Sequence, residues 1–160
     1  MRHKLMLQES SKRFNSSDFL RASGDDSNSA YLLQLIGFEL LLKVVVERST
    51  NSNVHGHVYQ DLFSKLSQQE QEDILRIAGE RIGPSALSYN HIGVLTDLGS
   101  NFVKLRYPHE KYGHMTQEQY TQAGASWIAA GAKTADADYR YHPEELLGLT
   151  FALQQLANAC

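Results

Sequence analysis

Apolar residues recur along this chain at the three- and four-residue spacing of helices, and no segment shows the strict alternation of a half-buried strand. The strongest run is Ala30–Val46, "AYLLQLIGFELLLKVVV", inside a helix expected from about Ser29 to Arg48. Its polar stripe is narrow, which calls for burial on most sides. Residues 3–22 form an expected N-terminal helix that is interrupted by "NSS" and peripheral to the rest. Residues 57–66 form a short amphipathic segment. Ser67 and Glu70 then make a capping box before Ile74, Leu75, Ile77 and Ala78, and "IGPS" at 82–85 stops that helix. From about Ser88, Leu95, Leu98, Phe102, Leu105, His109 and Tyr112 follow a 3-4-3-4-3 spacing and share one face of a helix. Residues 113–142 are weakly periodic and read as a long connection with one helical turn. Pro143, Glu144 and Glu145 open the last helix. These elements make an all-α antiparallel bundle of four to six helices, one domain over residues 1–160, with 1–28 as a peripheral segment.

Composition narrows the possible roles. The chain has 160 residues, 42% hydrophobic and 21% charged, as a folded globular domain has. Its formal charge of −3 gives no broad cationic footprint for duplex DNA. Cys160 is the one cysteine, so no intrachain disulfide forms. With no signal peptide evident in "MRHKLMLQES", a cytoplasmic protein is expected. The 30–46 run is shorter than a bilayer span and contains Gln34, Glu39 and Lys43, so no membrane association is expected. Among the seven histidines, "HEKYGH" has one residue too many for a zinc-hydrolase H-E-x-x-H, and "HGH" at 55–57 stands alone. Neither a metal nor a cofactor is expected.

Four charged residues stand in apolar helical surroundings. Glu39 and Lys43 are four apart on the central helix, and Arg106 and Glu110 are four apart on the later one. If those helices pack together, Glu39 faces Arg106 and Lys43 faces Glu110 in an interhelical ion network. The same residues also suit chemistry on a phosphodiester. Arg106 holds a phosphate, His109 exchanges a proton and Glu110 orients either one; His114 is the alternative to His109. Tyr107 joins Glu39 and Lys43 as a polar binding or structural set. Pro108 disfavours helix at Tyr107, so the chain there kinks or restarts.

Taken together, "GFELLLKVVV" at 37–46, "HGHVYQDLFSKLSQQEQEDI" at 55–74 and "NFVKLRYPHE" at 101–110 resemble HEPN-domain proteins. The similarity is to the branch with a G-x-E-x-x-x-K helix and an R-Y-x-x-E ending, and it covers roughly residues 30–112. The resemblance implies a helical bundle that commonly dimerises and acts on RNA or nucleotides, often as a metal-independent endoribonuclease in toxin–antitoxin or phage-defence systems, with an antitoxin or defence partner. The family's ribonuclease motif places histidine four to six residues beyond the arginine. Here His109 follows Arg106 after two intervening residues and His114 after seven. The alternative reading is a non-catalytic HEPN-like module for nucleotide binding or protein assembly.

Overall fold

The apolar run near residue 30 becomes helix α2, Ser29–Thr50, in the computed structural model, which describes residues 1–159. Leu35, Phe38, Leu42, Val44 and Val46 are fully enclosed, and α2 is the axis of the bundle. Helix α1 (Arg2–Ala22) runs antiparallel along it. Helices α3 (Tyr59–Phe63), α5 (Leu87–Arg106) and α8 (Pro143–Asn158) cover other sides, and α4 (Gln68–Ile82) packs on α8. No strand occurs among the described residues, so the all-α bundle is the observed architecture. By length and hydropathy α2 would also suit a membrane span. Most of its apolar window is buried inside the bundle, as in the core helix of a soluble protein.

The local signals explain most boundaries. Ser67 Oγ accepts from the Glu70 N–H, and Glu70 accepts from the Ser67 N–H at 2.8 Å, so the capping box that opens α4 is complete. At the other end Gly83 takes φ 83°, which ends the helix.

Three expectations need correction. Helix α1 is neither broken at "NSS" nor peripheral. Ser17 of that triplet is buried and donates to the Ala30 carbonyl at 2.7 Å, while Ser10 donates to the Gly37 carbonyl at 2.8 Å. Hydroxyls that read as a break in the pattern are therefore contacts between α1 and α2. The ring of Phe14 lies so close to Gly37 that a Cβ there would meet it at 2.9 Å. Secondly, the shared face of the later helix ends at Leu105. Tyr107 has φ −136° and ψ 64°, and Pro108 opens a separate helix α6 (Pro108–Tyr112) with no buried residue. His109 and Tyr112 thus leave the core stripe, because the proline resets the helix axis. Thirdly, residues 113–142 contain more than one turn. Thr116 and Gln119 form a second capping box for α7 (Gln117–Ala129), which is followed by a 3-10 turn at Thr134–Asp136.

A buried carboxylate fastens α1 to the end of α2. Arg2 donates twice to Glu47, at 3.0 and 2.9 Å; His3 Nε2 lies 2.9 Å from it, and the Val54 N–H donates at 3.1 Å. The Arg2 hydrogen bonds, helped by Val54 and His3, hold the Glu47 carboxyl down at about 2 from an ordinary 4.5, although burial acts the other way. The folded pKa is the lower one. The linked stability is therefore complete above pH 4.5 and is lost as pH falls towards 2. Glu47→Gln should cost about 2 kcal/mol near neutrality and flatten the pH dependence of the urea midpoint in that acid window. An acid limb identical to wild type would show that this carboxylate does not link folding to pH.

Candidate active site

A carboxylate on an apolar helix has to find donors, and Glu39 finds two. Lys43, one turn further along α2, donates to Oε1 at 2.6 Å. His57, from the loop between α2 and α3, brings Nδ1 to 2.9 Å from both carboxylate oxygens. Glu39 and Lys43 are largely enclosed, whereas the His57 side chain is 44% exposed. With Nδ1 donating to the carboxylate, Nε2 is the free ring nitrogen, and no residue among those described occupies it.

The loop is built to place this imidazole. Val54 is buried and gives its N–H to Glu47, two turns of α2 beyond Glu39. Gly56 has φ 94°, a backbone conformation that glycine adopts without strain. Tyr59 is fully enclosed and donates its hydroxyl to the Leu35 carbonyl at 3.2 Å. Burial and the neighbouring Glu39 push the Tyr59 hydroxyl well above its ordinary range, so it stays a neutral anchor. Gly99 of α5 lets the arch come close: a Cβ there would lie 3.0 Å from the His57 carbonyl oxygen. His57 is therefore held between buried residues on both sides in sequence.

Phe102 on α5 joins the imidazole to the arginine. The His57 ring lies 5.0 Å from the Phe102 ring, and the Arg106 guanidinium sits 4.6 Å from the same centroid. Arg106 also lies 5.6 Å from the ring centre of Tyr107, and Tyr107 meets His109 edge-on at 6.1 Å. Among the described residues Arg106 makes no ion pair and no hydrogen bond, so its fork is open to an anion. A chain of contacts thus runs His57, Phe102, Arg106, Tyr107, His109.

Of the residues selected from sequence, the structure brings together Glu39 and Lys43, and separately Arg106, Tyr107 and His109. The expected pairs Glu39–Arg106 and Lys43–Glu110 do not form, because His57 takes the place on Glu39 that Arg106 would need. Glu110 is exposed and has no ion partner among the described residues, and His114 is exposed in the turn after α6. The residue that sequence reasoning set aside is His57. Its signal was the glutamate itself: a buried carboxylate with one lysine has unused lone pairs, and "HGH" supplies the first imidazoles after the helix. No three His, Cys, Asp or Glu side chains among the described residues converge as a metal centre would require.

The ion pair makes a double-mutant cycle informative. Lys43→Met should destabilise by about 2 kcal/mol, less than a fully orphaned carboxylate because His57 still donates. Glu39→Met with Lys43→Met should cost less than Lys43→Met alone, since no buried charge is left behind. Urea unfolding of the three variants checks this, and a Lys43→Met cost below about 0.5 kcal/mol would place the pair in solvent.

No family model matches the chain, and no curated protein or solved structure matches it.

Proposed function

We propose that this is an HEPN-like protein acting on RNA, a metal-independent endoribonuclease of toxin or phage-defence type that works as a homodimer in the cytoplasm. The observation that carries this reading is the Glu39–His57 dyad, whose outer ring nitrogen is free, beside an Arg106 with no partner of its own. The motif order that resembles HEPN proteins supports it: Glu39, Lys43, His57 and Arg106 all fall within the quoted stretches.

In this mechanism Glu39 fixes the imidazole with Nδ1–H inward, and His57 Nε2 takes the proton from an RNA 2′-hydroxyl. The 2′-oxygen attacks the adjacent phosphorus as the bond to the 5′-oxygen breaks, leaving a 2′,3′-cyclic phosphate. Arg106 binds the non-bridging oxygens and offsets the charge that builds there. His109, on the far side of Tyr107, gives a proton to the leaving 5′-oxygen. Lys43 donates to the same carboxylate as His57 and holds it in place. Val58 and Tyr107 follow His57 and Arg106 directly and Val103 lies one turn before Arg106; all three are about half exposed, an apolar margin that a second copy would cover.

A second reading has its own support. Glu39 and Lys43 neutralise each other while largely enclosed, as a structural pair would. In that case the protein is a non-catalytic module in which Arg106 grips a nucleotide phosphate.

Sedimentation at micromolar concentration should give twice the 18.0 kDa chain mass; a strict monomer would remove the homodimer from this reading. Purified dimer should cleave single-stranded RNA in EDTA. Arg106→Ala and His57→Ala should each reduce the rate by about a hundredfold or more, and His109→Ala by about tenfold, with helical circular dichroism intact. His114→Ala should cleave as wild type. RNA left whole across a broad substrate panel would favour the binding module. A nucleotide that raises the melting temperature of wild type but not of Arg106→Ala would then locate the ligand.

A further inference from the structure

Helix α7 has no buried residue, yet it carries an aromatic stripe. Tyr120, Ala123, Gly124 and Trp127 recur at helical spacing and line one wall of a groove of about 1170 Å³. Tyr112, Tyr139 and Tyr141 contribute to the lining, and Leu105, Pro108 and His109 carry the groove up to the Arg106 end of α5. This volume exceeds the ~300–1,000 Å³ of a pocket for one drug-sized ligand. The groove therefore suits a chain of planar groups better than a single small molecule.

The lining chemistry selects the occupant. Four tyrosines and the tryptophan are its large apolar groups, and branched aliphatic side chains, which an amphipathic protein helix would seek, are nearly absent. The ring positions are fixed. Tyr112 and Tyr120 meet edge-on at 5.0 Å, and Trp127 ties its indole N–H to the Lys133 carbonyl at 3.0 Å. Between Tyr120 and Trp127 the wall is open at Gly124, where an added Cβ would meet nothing within 4 Å. Those two rings are two helical turns apart, roughly 10 Å, so there is room between them for flat groups. The groove walls are close to neutral, with Lys111, Asp136 and Asp138 as their charged side chains, so the cation that would meet a phosphate is Arg106 at the groove's end. Of the two aspartates, Asp138 is paired with Lys111 at 2.8 Å.

We infer that this groove is a stacking channel for the unpaired bases of single-stranded RNA, which leads the strand's backbone to Arg106. It rests on the RNA-acting reading above and supplies its substrate class: duplexes keep their bases stacked on each other and have none to offer.

Trp127 is the one tryptophan in the chain, so its emission reports directly on the groove. The probe is 2′-O-methyl hexaadenylate, which lacks the attacking hydroxyl and stays whole during the measurement. It should quench Trp127 in the wild-type dimer, and the same sequence in a duplex should not. Gly124→Leu fills the open wall at a helical position with space around it, so the fold should survive. It should weaken binding at least tenfold, as should Tyr120→Leu. Quenching and Gly124-sensitive binding without any cleavage of ordinary RNA would keep the channel and remove the nuclease. Cleavage that Gly124→Leu leaves at the wild-type rate, with Trp127 emission unmoved by the oligonucleotide, would overturn the channel and keep the nuclease. If the oligonucleotide leaves the emission unmoved and Trp127→Ser converts dimer to monomer, the groove is a contact between copies and the inference is wrong.

Discussion

Helix α2 carries two carboxylates into an apolar core, and each is met by donors, at least one of them from outside the helix. This constraint arranges much of the rest. Glu47 draws Arg2 and His3 of α1 and the backbone of Val54, while Glu39 draws Lys43 and His57. The two acids are eight residues, two helical turns, apart on one face, so the chain leaving α2 is caught at two points, first at Val54 and then at His57. A loop that sequence alone would leave free is thereby given a fixed path. The Glu47 carboxylate also ties the start of α1 to that end of the helix.

The candidate site inherits its order from this arrangement. His57 does not depend on its own exposed surroundings for position. It is set by a carboxylate from one helix, a ring from another and a close backbone approach at Gly99. The guanidinium of Arg106 is positioned differently. Its cation rests on the Phe102 and Tyr107 rings and leaves its hydrogen-bonding fork unused. An imidazole fixed on three sides thus stands near an arginine held only by its flat face, with the guanidinium fork left open.

Much of the fold was legible in the sequence because helices announce themselves by period and caps. The enclosed α2, the Ser67 capping box and the stop at Gly83 follow from residues within one or two turns of each other. What could not be read was set by distant partners. Ser10 and Ser17 look like interruptions until the carbonyls of Gly37 and Ala30 are placed opposite them. His109 looks like a core position until Pro108 redirects the helix. For the site, the polar residues on helices were recoverable because an apolar background exposes them. His57 was not, since its role depends on a loop returning to the helix that precedes it.

The two halves of the molecule therefore differ in what holds them. From α1 to α5, buried polar contacts at Ser10, Ser17, Glu47 and Tyr59 hold one segment of the chain against another. Beyond Tyr107, the segment that contains α6 and α7 buries none of its helical residues and is secured at its return. There Asn101 donates to the Arg140 carbonyl at 2.7 Å, Tyr31 donates to the Tyr141 carbonyl at 2.9 Å, and Asp97 meets His142 at 2.9 Å. Burial pushes the Tyr31 hydroxyl up to about 12, so it remains a donor across the physiological range. Three side chains of the bundle thus pin the far end of an otherwise exposed excursion, while its near end begins at Arg106. An excursion fastened at both ends but unpacked along its length keeps an open groove at low cost in core stability, since its aromatic wall displaces nothing from the bundle. The order that fixes His57 and the openness beside Arg106 are consequences of one division: buried acids organise the first hundred residues, and a proline releases the next thirty.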